Sequence, residues 1–310
     1  MMDHTIPLSG RQHLLRHGDY TAVVASVGAS LRELRYAGRH LTRHYDADEI
    51  RPQYRGALLV PWPNRVVDGT YDFNGTTHQL SLTEPERGHA LHGLLAWDEW
   101  ETVEHSEAWV RLRATVVPQK GYPFRLAVEV QYSLDDDGLT TTVTSVNTGP
   151  DAAPYGVGPH PYLVAGDGPV DEWTLTLPAD TVLEVTEDRL IPTTLAAVTG
   201  DFDFRSPTRI GTAFLDHAFT DVGYADDLAT VSVIGPDGNG AAVSFGRDLP
   251  WVQVHTSDLP GNPQESRGSL AVEPMTCPPD AFNSGTNLLV LVPGDSHSTR
   301  WIVHAIHQAS

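Results

Sequence analysis

Two prolines flank one histidine in the stretch Pro154-Tyr155-Gly156-Val157-Gly158-Pro159-His160-Pro161-Tyr162. Each proline fixes its own φ and biases the residue before it towards extended geometry, so His160 sits on a backbone with little freedom and outside any helix. Gly156 and Gly158 let the chain turn sharply or pass close to a neighbour. An imidazole held in this way is either a satisfied core side chain or a proton carrier. Its company favours the second: Asn64-Arg65, His92, Asp216 and Glu273 are polar groups in similarly constrained settings at the edges of apolar runs.

Asn64 and Arg65 follow the apolar run Ala57-Leu58-Leu59-Val60. A planar guanidinium with five donors beside an amide suits a ligand rich in hydroxyl oxygens; the plainer expectation is that Arg65 braces a turn through Asp68 or Asp72. The loop Gly88-His89-Ala90-Leu91-His92-Gly93-Leu94-Leu95-Ala96-Trp97-Asp98-Glu99-Trp100 brings two histidines and two tryptophans before a strand. Aromatic faces stack on the C–H faces of sugars and histidines reach hydroxyls, although Trp97 and Trp100 would serve equally as core. His89, His92, His160 and Glu273 form a nominal zinc set, but no recognised helix motif supports it, and no metal is expected. Asp216, between Leu215 and His217, is either a turn cap or a buried acceptor for ligand hydroxyls, and spacing does not choose. Glu273 closes the apolar run Leu270-Ala271-Val272 and is followed by Pro274, which is expected to stop the strand there. A carboxyl among apolar side chains would have a raised pKa suited to a base, whereas a solvated strand-end glutamate would not.

Composition narrows the classes. The chain has 310 residues, of which 40% are hydrophobic and 19% charged, enough for one large core or two small ones. Its 40 acidic against 20 basic residues give a net charge of -20, which argues against nucleic acid and against anionic membranes. With Cys277 as its sole cysteine, the chain has no internal disulfide and no cysteine-based zinc site. Neither a basic start followed by an apolar core nor a run of membrane-spanning length is present, so a cytoplasmic location is expected.

The elements that position these residues are short β-branched or alternating runs separated by turns, as in an all-β domain. Expected strands are Thr21–Ala25, Leu31–Tyr36, Thr70–Phe73, Thr77–Leu82, Glu99–Glu104, Trp109–Val117, Phe124–Leu134, Leu139–Val146, Trp173–Leu177, Thr181–Thr186, Ala229–Ile234, Ala241–Phe245, Trp251–Thr256, Leu270–Val272, Asn287–Val292 and Arg300–Ala305. Turn chemistry at Asp135-Asp136-Asp137-Gly138 and at Gly235-Pro236-Asp237-Gly238-Asn239-Gly240 joins neighbouring strands. Many strands without helices imply stacked antiparallel sheets. Residues 43 to 56, 83 to 98, 187 to 217 and 257 to 268 read as long loops of the kind that carry function. With no linker or repeat, residues 1–310 read as one domain.

Taken in order, Pro63-Asn64-Arg65 with Gly69, Leu91-His92-Gly93 with Trp97, His160-Pro161-Tyr162, Leu215-Asp216-His217, and Glu273-Pro274 with Pro279-Asp280-Ala281-Phe282-Asn283 resemble the galactose mutarotase (aldose 1-epimerase) family over nearly the whole chain. The resemblance implies a large antiparallel β-sandwich, the supersandwich, with an open sugar cleft and with no metal and no organic cofactor. It also implies Glu273 as general base and His160 as general acid, with Asn64, Arg65, His92, Asp216 and Trp97 binding a monosaccharide. Gly158-Pro159-His160-Pro161-Tyr162 and Leu94-Leu95 depart from the better-known members and point to a bacterial branch with a sugar preference other than galactose. Interconverting anomers needs one base and one acid on two sides of C1, and neither a covalent nor a redox step, in keeping with the missing nucleophile and dinucleotide motifs. Three other readings stand beside it. Asp216 and Glu273 could pair as a glycoside hydrolase, and the sandwich could be a non-catalytic carbohydrate-binding module. Arg51, Arg55, Arg65 and Arg87 could serve a charged sugar, a hexose phosphate or sulfoquinovose. No interface is legible, so oligomeric state is left open.

Overall fold

Strict alternation builds the longest ladder. In Leu126–Asp135 the residues Leu126, Val128, Val130, Tyr132 and Leu134 are buried, and across a two-residue turn Gly138–Asn147 buries Leu139, Thr141, Val143, Ser145 and Asn147. The register is fixed at the turn, where Leu134 faces Leu139 and the Asp137 N–H donates to Asp135 Oδ1 at 2.9 Å.

The structure, a computed structural model, describes residues 5–259 and 261–307; Met1–His4, part of the N-terminal segment read above for targeting, lie outside it, as does Pro260 within the expected loop 257–268. Among the described residues, nine strands join in the order Glu101–His105, Trp109–Val116, Leu126–Asp135, Gly138–Asn147, Ser296–Ile306, Gly240–Phe245, Ala229–Ile234, Thr174–Thr176 and Thr208–Arg209. Six more join as Tyr162–Leu163, Leu270–Met275, Trp251–His255, Asp216–Val222, Ala179–Val185 and Pro192–Ala197. A four-stranded sheet runs from Gln12–His17 to Arg39–His40. The fold is an antiparallel all-β sandwich: one continuous core takes Leu112, Val130, Val143, Val243 and Val303 from the nine-stranded sheet and Val182, Phe219, Val252, Val254 and Val272 from the six-stranded one. Among the described residues no helix is long and apolar enough to cross a membrane.

Several expectations are corrected. The strand Gln12–His17 was not anticipated, because only His13 and Leu15 of its six residues are buried and its sequence does not alternate cleanly. The stretch 187 to 217 is not one loop, since Pro192–Ala197 and Thr208–Arg209 pair as solvated edge strands with no apolar signal. The strand carrying Glu273 does not stop at Pro274 but runs through Met275. The neighbouring N–H groups explain this: those of Val272 and Thr276 donate to Pro161 O and Val157 O, both at 3.1 Å. The missing N–H of Pro274 would therefore point towards the 157–161 segment and not into the ladder with Trp251–His255.

Register then collects the polar side chains. Tyr162, Ala271, His255 and Asp216 face one another across four strands, and Glu273, Gln253 and Ala218 form the next row of the same face. The opposite face carries Val252, Val254, Val272 and Phe219 into the core. Against this sheet the 154–162 segment packs closely. A Cβ on Gly158 would lie 2.8 Å from Pro274 O and one on Gly156 2.5 Å from Cys277 Sγ, so both glycines serve close approach. Gly158→Ala is expected to destabilise the protein by ~1–3 kcal/mol through overpacking, while Gly261→Ala, which meets nothing within 4 Å, leaves the thermal midpoint unchanged; equal midpoints for the two variants would contradict the packing argument.

Candidate active site

Arg65 and His92 come from two short strands, Arg65–Val66 and Ala90–Leu91, paired antiparallel. Asn64 and His92 flank that pair, each in left-handed backbone geometry (φ 55° and 62°). They lock reciprocally: the His92 N–H donates to Asn64 O at 2.9 Å, and the Asn64 N–H donates to His92 Nδ1 at 3.1 Å. Because Nδ1 accepts, the proton of neutral His92 is assigned to Nε2. Arg65 does not brace a turn through Asp68 or Asp72. Its Nε and Nη2 donate to Glu84 Oε2 and Oε1 at 2.8 and 3.0 Å, and its Nη1 donates to Asn64 Oδ1 at 3.3 Å. Asp68 pairs instead with Arg189, and Asp72 accepts from Thr77.

From the six-stranded sheet come Asp216 and Glu273. Asp216 opens a strand, accepts from the Gln253 amide at 2.7 Å and lies 4.0 Å from Arg65 Nη2, so it is a partly buried acceptor and caps no turn. Burial alone would push its carboxyl up, but His255, Arg65 and Gln253 outweigh that and hold it below its usual value. Glu273 is 2% exposed. Burial, reinforced by the charge of Asp216 and opposed by Arg65, pushes its carboxyl well above the carboxylate range.

His160 packs onto the face of this sheet that carries Glu273 and Tyr162. Its backbone is clamped to Gly56 and Ala57, with His160 N–H donating to Ala57 O at 3.0 Å and Gly56 N–H to His160 O at 2.8 Å. The ring stacks on Tyr162 at 5.0 Å, meets His92 edge-on at 5.0 Å, and runs parallel to Tyr54 at 6.4 Å. Its Nε2 comes within 3.4 Å of Glu273 Oε1. Burial first, then the neighbouring His255, pushes its pKa down to about 3. The short separation alone would suggest an ion pair, yet burial drives both partners towards their neutral forms; we take the pair as neutral, sharing one proton. Among the described residues, His160 Nδ1, Glu273 Oε2 and Gln253 Oε1 are buried without hydrogen-bond partners, an unusual convergence at one place.

All seven residues expected from sequence therefore lie in one neighbourhood. Trp97, half exposed, joins through Tyr54, whose ring is 5.4 Å from Trp97 and 4.7 Å from His92. Trp100 is core. His89 does not join: its Nδ1 accepts from the Asp68 N–H and its Nε2 contacts Arg189 O at 2.9 Å, so the nominal zinc set is not assembled. Sequence reading missed Glu84, Gln253, Tyr54 and the stacking role of Tyr162. Gln253 left a signal, a polar residue in the apolar alternation Trp251-Val252-Gln253-Val254; Glu84 left none.

The family model described as aldose 1-epimerase matches residues 11–304. The uncharacterized protein YihR of Escherichia coli (strain K12) is 41% identical over 291 residues, covering 93% of this chain and 91% of its own length. Among solved structures, the GalM/aldose epimerase homologue from C. elegans superposes with a TM-score of 0.85 at 21% identity, covering 96% of this chain and 99% of that one. Galactose 1-epimerase from Lactobacillus acidophilus NCFM gives 0.77 at 20% identity, covering 95% and 94%. At these identities the two structures speak for the fold.

The Arg65–Glu84 pair offers a direct test. Both groups are buried, so Glu84→Ala strands a guanidinium and is expected to cost about 3–5 kcal/mol in urea unfolding. Removing Glu101 from its exposed pair with Arg113 should leave the midpoint where it was. A Glu84→Ala protein as stable as the parent would show that Arg65 finds other support.

Proposed function

The chain belongs to the aldose 1-epimerase family of isomerases, and we propose that it interconverts the α and β anomers of a free aldohexose with Glu273 as general base and His160 as general acid. The observation that carries this reading is the pair itself, a carboxyl and an imidazole 3.4 Å apart, buried, with His160 Nδ1 and Glu273 Oε2 left without a partner among the described residues.

Opening a hemiacetal ring requires loss of the proton on the C1 hydroxyl and gain of one on the ring oxygen. Rotation about C1–C2 exchanges the faces of the aldehyde, and the same two groups working in reverse close the ring. A base and an acid on the two sides of C1 suffice, each typically worth 10² to 10⁴-fold. The pair carries one shared proton, which is the number this exchange needs. In the resting site burial keeps that proton on Glu273. Hydroxyls of a bound sugar donating to the carboxylate favour its charged form, and the proton then belongs to His160, the working arrangement. Arg65, held by Glu84, aims its charge towards Asp216 and the ring-oxygen side, while Asn64, His92 and Asp216 engage hydroxyls. Trp97 and Tyr54 provide aromatic faces at the rim for the C–H face of the ring.

Glu273→Gln and His160→Ala are each expected to lower the enzymatic rate of anomer exchange at least 100-fold, followed by polarimetry on freshly dissolved α-glucose and α-galactose, with circular dichroism showing the fold retained. Full activity in a folded variant removes that residue from the mechanism. The pH profile gives a second test. The pair loses its proton, and with it the acid, as pH rises through the raised pKa of Glu273, so kcat falls on the alkaline side. The negative charge of Asp216 is one cause of that raised value. In Asp216→Asn the alkaline limb of kcat should therefore move to lower pH, and an unmoved or upward limb would refute the coupling.

A further inference from the structure

One polar side chain on the face that carries Asp216 and Glu273 is left without a role by the proton-transfer mechanism. His255, which sequence reading did not single out, ends the strand Trp251–His255, and that strand lies between the strands of Asp216 and Glu273. Its cross-strand neighbours are Asp216 on one flank and Ala271 on the other, so its side chain stands on the site face. Directly opposed residues have Cβ atoms about 4.5–5.5 Å apart, which puts the imidazole within reach of a ligand that Asp216 touches. After burial, His255 is also the first influence on two groups of the site, holding the Asp216 carboxyl down and pushing the His160 imidazole down.

The ring is held at one nitrogen. Nδ1 lies 3.2 Å from Leu215 O, and a carbonyl oxygen can only accept, so Nδ1 carries a hydrogen whether the ring is neutral or charged. That carbonyl is fixed in turn: it accepts from the Thr256 N–H at 3.0 Å, while the Leu215 N–H donates to the Thr256 hydroxyl at 3.1 Å. Backbone therefore sets the ring orientation. Nε2, across the ring, has no hydrogen-bond partner among the described residues, and His255 is half-buried where Gln253, one row along the same strand face, is buried. The groups beside it leave room, since Ala271 carries only a methyl group and the Gln253 amide is spent on Asp216.

We propose that His255 is a substrate-binding, specificity-determining residue, its Nε2 meeting a ring hydroxyl of the sugar next to the hydroxyl that Asp216 holds. The inference rests on the mutarotase reading, which places C1 at His160 and Glu273, and it names the part of the sugar that the sheet face reads. With C1 over the strand of Glu273, a ring reaching towards Asp216 passes over the strand between them, a span of two strand spacings or roughly 9–10 Å. His255 stands on that path. A neutral Nε2 accepts from the hydroxyl and a protonated one donates to it; a hydroxyl can answer either, so the contact holds in both states of the ring. Asp216 and His255 side by side then select two neighbouring hydroxyls of fixed configuration. A hydroxyl that is missing, or turned to the other face of the sugar ring, leaves one of these polar groups desolvated and unpaired.

The test is a double-mutant cycle between protein and sugar, read as anomer exchange at equilibrium by NMR saturation transfer. D-glucose and its 2-deoxy, 3-deoxy and 4-deoxy analogues are each presented to the parent protein and to His255→Phe, which keeps a ring and removes its polar edge. With glucose, the substitution is expected to lower kcat/KM about 3- to 10-fold, the range of a single hydrogen bond. With the deoxy sugar that lacks the contacted hydroxyl, it should cost less than about 2-fold, because the contact is already gone. That sugar identifies the hydroxyl. Circular dichroism checks the fold, and should the phenylalanine variant not fold, His255→Leu carries the same cycle. Equal losses with glucose and all three analogues, or no loss with any of them, overturn the contact, while exchange of glucose by the parent keeps the mutarotase reading standing. A parent protein that accelerates none of the four sugars overturns both.

Discussion

Between the strand of Asp216 and the strand of Glu273 lies a single strand, and its Gln253 donates an amide proton to Asp216 while facing Glu273 across the ladder. That placement holds two carboxyls of opposite habit on one sheet face. Asp216 is kept charged by donors and cations; Glu273 is kept from charging by burial and by Asp216 itself. Two like charges this close in a dry site cannot both form freely, so ionising the first raises the second. The raised pKa of Glu273 is therefore a property of the register, since a one-residue slip of either strand would turn its carboxyl into the apolar core.

The remaining groups are delivered by irregular backbone, part of it in left-handed geometry. Asn64, Asp68 and His92 adopt left-handed geometry around the Arg65–Val66 and Ala90–Leu91 pair, and Gln53 and Tyr54 do so consecutively beside the His160 clamp. Non-glycine residues are rarely found there, and each such residue needs surrounding contacts to hold it. Here those contacts are the reciprocal Asn64–His92 bonds, the Glu84 fork on Arg65 and the ring packing of Tyr54 against His92. The long loops are thus ordered by the same polar groups that line the site.

The sandwich was legible because its strands alternate: period-two burial in 126–147 and the turn residues at 135–138 state both face and register locally. The edge strands Gln12–His17 and Pro192–Ala197 were not, since a strand solvated on most of its surface carries no alternation to read. In the site, His160, His92, Arg65, Asp216 and Glu273 announced themselves as polar residues beside apolar runs or prolines. Their partners did not. Glu84 sits in an unremarkable acidic stretch, and only the fold brings it to Arg65; the continuation of the Glu273 strand through Pro274 depends on which neighbour the missing N–H would have faced, a fact about pairing partners far away in sequence.

Two arginine–carboxylate arrangements lie near the His160–Glu273 pair, and their exposure separates them. In Arg65–Glu84 the side chains are 9% and 4% exposed; in Arg55–Glu265 they are 6% and 34%. Breaking the first strands a charge where no water can answer it, which makes it a fixed part of the scaffold. In the second, the carboxylate already borders solvent and can return to it at modest loss, while Arg55 stays buried and must keep an anion. The exposure of the carboxylate, more than the length of the contact, therefore separates a pair fixed in the scaffold from one that solvent can open.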